Sequence, residues 1–272
     1  PAKMAEMQAE LGGNNKYAGV LPRLAQYELT LLDWAEAHKG ARQYVAFANK
    51  CWPAFQTEFK FVPCYVNSRL AAMGIPVSCE VDIYGALSEY IGVCVSGAPT
   101  TLLDINNTVP ASIYDKAIGG RYDVRLPETF MGFHCGNTSC AMLKDPHMGY
   151  QLIMKRDLEP ELPEPDITRG TMEGNIKPGD ITFFRLQSTA DTQLKAYVAQ
   201  GQGLDEDCES FGSIGAFAIP EMDRFYRHVL IAKRYPHHGA VAFGHWGKAL
   251  FEVFKYLGVT DIAYNQPRSL PY

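Results

Sequence analysis

The chain has 272 residues, 47% of them hydrophobic and 20% charged, with a formal net charge of −5. That length exceeds one typical domain and supports a large core, so two units are expected. No window reaches the ~20 apolar residues of a membrane span. The lysines and arginines are scattered rather than gathered on one face, so neither a membrane nor nucleic acid is expected as a partner.

Residues 1–97 alternate helical and strand patterns. PAKMAEMQAELGG has neither an initiator Met nor the charged-then-apolar layout of a signal peptide. It reads as the middle of a helix, and a preceding domain absent from this chain is expected. LPRLAQYELTLLDWAEAHKG has apolar residues at helical spacing and stops at Gly40. A short apolar run in ARQYVAFANKCW follows, then FKFVPCYVNSRLAAMGIPVSCE, then a second helix in DIYGALSEYIGVCVSG. Strand and helix in alternation imply α/β structure, here part of a doubly wound, Rossmann-like parallel sheet covered on both faces. Chemistry in such sheets gathers at the carboxyl ends of strands. Glu80 and Asp82, directly after the IPVSC run, occupy that position.

From residue 98 to 272 the texture becomes mostly β, with short runs punctuated by Gly, Pro and Asn: TTLLDINN, ETFMGFHCGN, NIKPGDITFFRLQS, LKAYVAQGQG and GSIGAFAIP. An antiparallel, barrel-like C-terminal domain is expected. RDLEPELPEPDITRG reads as a surface loop, and helices return in RFYRHVLIAKRYP and GKALFEVFKYLG.

Certain polar residues fit this pattern poorly. A carboxylate inside the strand LLDINN costs several kcal/mol unless it is paired, so Asp104 needs a partner. Glu80 poses the same problem, and a strand-helix-strand crossover would return the two to one rim. Two carboxylates brought together raise one pKa or recruit a cation, and a divalent metal resolves both. His237 and His238, between Pro236 and Gly239, are rigidly placed and suit a metal ligand beside a substrate contact. Ordinary explanations exist for each residue singly: a helix N-terminal acid for Glu80, a turn for Asp104, a satisfied histidine for either of the pair. His134, in GFHCGNTSC, is a further candidate. The seven cysteines, at 51, 64, 79, 94, 135, 140 and 208, lack CxxC spacing and read as reduced thiols of a cytoplasmic protein.

Together IPVSCEVDIYGALSEYIG, TTLLDINN, GFHCGN, the PGDITFFRL strand and PHHGAVAFGHWGKAL resemble the L-fucose and L-arabinose isomerase superfamily, from its central domain to its C-terminus. The resemblance implies a metal-dependent aldose–ketose isomerase using Mn²⁺, or another divalent cation such as Mg²⁺ or Co²⁺. It implies too a homo-oligomer with the active site near a subunit interface. Carried over by position, the metal-binding carboxylates fall on Glu80 and Asp104, which are also the catalytic pair. The metal-binding histidine falls on His238, with His134 as a possible further ligand and His237 facing the sugar. The family's Asn-Gln-Gly-Trp motif appears here as Asn49-Lys50-Cys51-Trp52, assigning Lys50 and Trp52 to substrate, along with Asn106.

The chemistry agrees with the resemblance. Moving a carbonyl from C1 to C2 of a sugar means taking a proton from carbon and stabilising an enediolate, which a metal and a carboxylate base can do. A metal-dependent sugar hydrolase or lyase, and a non-catalytic sugar-binding homologue, are the alternative readings.

Overall fold

The protein is described by a computed structural model over residues 1–106 and 108–265. The leading part of the chain carries three helices: α1 (Ala2–Leu11), α2 (Leu21–His38) and α3 (Cys64–Ala72). Two-residue strands β1 (Phe47–Ala48) and β2 (Val77–Ser78) pair in parallel, flanking α3 in sequence. Helix α4 (Ile83–Ser96) follows; Asp82 caps its start and Gly97, left-handed at φ 66°, ends it.

The remaining strands are β3 (Thr100–Ile105), β4 (Thr129–His134), β5 (His147–Tyr150), β6 (Arg169–Asn175), β7 (Gly179–Ser188), β8 (Leu194–Gly203), β9 (Ser213–Ala218), β10 (His238–Phe243) and β11 (Asp261–Asn265). They form one nine-stranded sheet in the order β11-β8-β7-β10-β3-β4-β9-β6-β5. Most neighbours are antiparallel; β11–β8 and β6–β9 are parallel. A further β8–β9 pairing folds the sheet partly into a ring. Short helices α5 (Ala111–Ile113), α6 (Leu152–Leu158) and α7 (Met222–Phe225) lie in the connections, and α8 (Gly247–Tyr256) precedes the last strand.

The expected doubly wound parallel sheet is therefore, among the described residues, only the β1–β2 pair. The helix after β2 leads into the other sheet, so a βαβ crossover within one sheet does not bring Glu80 towards Asp104. The C-terminal part is a mostly antiparallel sheet in partial ring form rather than a barrel.

The strands read as unbroken apolar runs because both faces are buried. Leu103, Phe183 and Val241 join one core cluster with Leu24 of α2 and Leu70 of α3. Their sequence neighbours Leu102, Phe184 and Ala240 face the other way, against Ile91 of α4 and Leu250 and Phe254 of α8. The first cluster thus runs across residue 97, from the leading helices into the large sheet. No helix is long and apolar enough to cross a membrane, among the described residues.

Candidate active site

The end of β10 builds the site. In the β10–β3 ladder His238 lies directly opposite Asp104, and cross-strand partners project to the same face. Nε2 of His238 sits 3.0 Å from Oδ1 of Asp104. The ring's other nitrogen, Nδ1, is 2.9 Å from Oδ2 of Asp82 at the start of α4. The imidazole is thus held between two carboxylates, with its side chain 7% exposed. Burial opposes charge on this ring, but Asp104 and Asp82 outweigh it and push the His238 pKa up to about 9. Asp104 and Asp82 are held below the usual carboxylate range despite burial, Asp104 by the adjacent His238 imidazole and Asp82 by His238 and Arg185.

Glu80 approaches from β2. Its Oε2 lies 3.8 Å from His238 Nε2, and half its side chain is in solvent. The backbone that carries it is strained: Glu80 and Val81 have φ of 60° and 58°. Non-glycine residues rarely adopt the left-handed region, least of all a β-branched one, and such strain collects at functional sites. Hydrogen bonds from Val81 N to Asn49 O and from Asp82 N to Cys79 O hold the turn.

His237 precedes β10, where strand alternation no longer separates it from His238. Its Nε2 is 3.6 Å from Asp104 Oδ1. Ligand atoms of Asp104, His237 and His238 all lie within 4.8 Å of one another, a set that could hold a metal ion. The two imidazoles therefore reach the same carboxylate, where strand alternation predicts that they diverge. His134 is buried, its ring centroid 6.3 Å from that of His238, and its Nδ1 has no hydrogen-bond partner. Burial disfavours its charged form, yet Cys135 and Asp104 prevail and raise its pKa to about 9.

The donors suit a hard or borderline divalent cation. Cis ligands around an octahedral ion bound at ~2.1 Å stand ~3 Å apart, close to the Asp104–His238 spacing. Asp104 Oδ1 is buried with no satisfying hydrogen bond, and the occupied Nδ1 of His238 leaves Nε2 for a ligand. The cavity in front, about 540 Å³, is lined by Glu80, Asp82, Arg185, Arg234, His237 and His238 among others. Lys50 and Trp52 follow β1, next to the Glu80 turn, and do not line this cavity. Asn106 lines a different one, about 310 Å³, with Phe130 and Tyr226.

Arg185 escaped the sequence reading. It stands in the middle of the apolar strand ITFFRLQS, where the cost of burial that singled out Asp104 applies equally. Asp82 was visible beside Glu80, but its histidine partner lies 156 positions away.

A His-Asp pair across one ladder, with a second histidine and a carboxylate on a strained turn beside it, is a donor set that could hold a divalent cation. Residues 132–264 match the family model described as L-fucose isomerase, C-terminal domain. The match takes in His134, Arg185, His237 and His238, whereas Glu80 and Asp104 precede it. Among curated relatives, a sulfoquinovose isomerase of Clostridium sp. (strain MSTE9) is 29% identical over 170 residues, 62% of this chain and 32% of the relative. One from Priestia aryabhattai is 22% identical over 256 residues, 93% of this chain and 50% of the relative. A third, from Alkalicoccus urumqiensis, is 25% identical over 186 residues, 65% of this chain and 36% of the relative. The chain spans half the length, or less, of these relatives.

Proposed function

We propose that the chain carries the proton-transfer centre of a metal-dependent aldose–ketose isomerase acting on a free sugar. The observation that carries this reading is the convergence of Glu80 and Asp104 on Nε2 of His238, with Glu80 and His238 lining one cavity. Asp104, His238 and Glu80 would hold the ion, Mn²⁺ first and Mg²⁺ or Co²⁺ as substitutes, with His237 and His134 beside them. Bound there, the cation supplies positive charge against the charge that develops on the sugar oxygens at C1 and C2. Glu80, on its exposed turn, is the carboxylate with free access to a proton on carbon, and Asp104 serves the opposite side of the C1–C2 bond. His237, whose side chain is 63% exposed, orients the sugar's hydroxyls.

The relatives' name makes sulfoquinovose the first substrate to test. Arg234 supports an anionic sugar: it is exposed, lines the same cavity and makes no ion pair among the described residues. The test incubates the protein with Mn²⁺ and a panel of sulfoquinovose, neutral hexoses, 6-deoxy sugars and pentoses, and follows ketose formation by NMR. Ketose from at least one sugar, without loss of mass, is expected. Cleavage of the sugar would favour a hydrolase or lyase, and binding without turnover a sugar-binding homologue.

A further inference from the structure

Arg185 and Asp82 are not needed to reach a sugar or to move its proton, yet they form a buried, hydrogen-bonded network beside the site. The Arg185 side chain is 2% exposed. Its guanidinium forks onto Asp82, Nη1 donating to Oδ2 at 2.8 Å and Nη2 to Oδ1 at 2.7 Å. Nε and Nη2 donate to Gln187 Oε1 at 3.0 and 2.8 Å, and Nη1 also donates to the His238 carbonyl at 3.2 Å. Asp82 Oδ1 further accepts from Gly85 N at 2.8 Å, which ties the carboxylate to the first turn of α4. A side chain at residue 85 would meet Asp82 Oδ2 at 2.6 Å and Leu102 at 2.9 Å, so only glycine lets helix, carboxylate and sheet come this close.

We infer that Asp82, locked by Arg185, is a positioning residue that fixes the ring orientation and tautomer of His238, so that Nδ1–H faces Asp82 and the Nε2 lone pair faces the ion. It rests on the metal reading proposed above. The physical reason is general: a ligating histidine whose other nitrogen donates to a carboxylate keeps one tautomer and one orientation and is a stronger ligand. Asp82 has both oxygens engaged and does not turn towards the cavity to ligate directly. Arg185 is the reason it stays in place, since the planar fork matches the carboxylate edge to edge. Arg185 also grips the His238 carbonyl, so the same cation holds both ends of the Asp82–His238 contact.

The experiment is a double-mutant cycle on Mn²⁺ affinity, measured by electron paramagnetic resonance titration of the metal-stripped protein. The proteins are wild type, Asp82→Asn, His238→Ala and the double variant, each checked for folding by near-ultraviolet circular dichroism. With His238 present, Asp82→Asn is expected to weaken Mn²⁺ binding by ~10- to 100-fold, the usual effect of losing such a partner. In the His238→Ala background the same change is expected to alter affinity by less than about threefold, because the ring it orients is gone. An equal loss in both backgrounds, or no loss in either, would overturn the inference. Should Asp82→Asn not fold, Arg185→Lys runs the same cycle: it keeps the charge, loses the fork, and is expected to give a smaller loss that also vanishes without His238. Failure of the wild-type protein to bind Mn²⁺ at all would instead overturn the metal reading, which separates the two outcomes.

Discussion

Replacing Arg185 by Met tests how much the buried ion pair contributes to the fold. The substitution keeps most of the side chain's volume in a 2%-exposed position and removes the fork that Asp82 receives. Asp82, 13% exposed, is then left with the His238 ring and the Gly85 amide, while Gln187 Oε1 and the His238 carbonyl each lose a donor. Removing one partner of a buried pair costs ~3–5 kcal/mol, because the remaining charge stays desolvated. By contrast Lys255→Ala, at the exposed Lys255–Glu252 pair, is expected to cost ~0.5 kcal/mol or less. Urea unfolding at pH 7 measures both. The pH dependence supplies an internal check. Asp82 has a folded pKa below its ordinary value, so its contribution is complete above the unfolded value, ~3.9, and is lost as pH falls through the folded one. The deficit of Arg185→Met relative to wild type should therefore hold from pH 7 down to about 4 and narrow below it. A deficit under ~1 kcal/mol at pH 7, or one unchanged at pH 3, would refute this account.

Glu80→Gln should lower turnover by ~100- to 10,000-fold with an unchanged thermal midpoint, since the side chain is half exposed and the isostere removes only the base; steady-state kinetics at saturating Mn²⁺ decide it. His238→Ala should abolish tight Mn²⁺ binding, whereas His237→Ala, at the longer distance from Asp104 and largely exposed, should weaken it by less than tenfold and act mainly on KM. Metal content after dialysis distinguishes them, and a larger loss in His237→Ala would reverse the roles assigned to the pair. Val81→Gly should raise stability by ~1 kcal/mol in urea, because a β-branched residue at φ 58° is replaced by one that adopts this conformation freely. Destabilisation there would show that the turn is not strained.

Helices α2, α4 and α8 could be read from apolar spacing and stop signals, because 3.6-residue periodicity and a left-handed glycine such as Gly97 are local properties. The apolar runs of β3, β4 and β7 to β9 announced strands for the same reason, and one charge inside such a run marked Asp104. Strand partners were another matter. Two short runs flanking a helix look alike whether they open a large parallel sheet or, as here, a two-stranded pair, because pairing is a long-range property that local composition does not encode. Asn106 stands two residues from Asp104, yet adjacency along a chain does not decide which cavity a side chain lines. Sequence alone therefore settled the residue types capable of the chemistry: carboxylates and imidazoles at the ends of apolar runs. Tertiary structure alone decided which of them meet. The register of β10 against β3 sets His238 opposite Asp104, and packing of α4 on the sheet brings Asp82 and Arg185, 103 residues apart, into one buried pair.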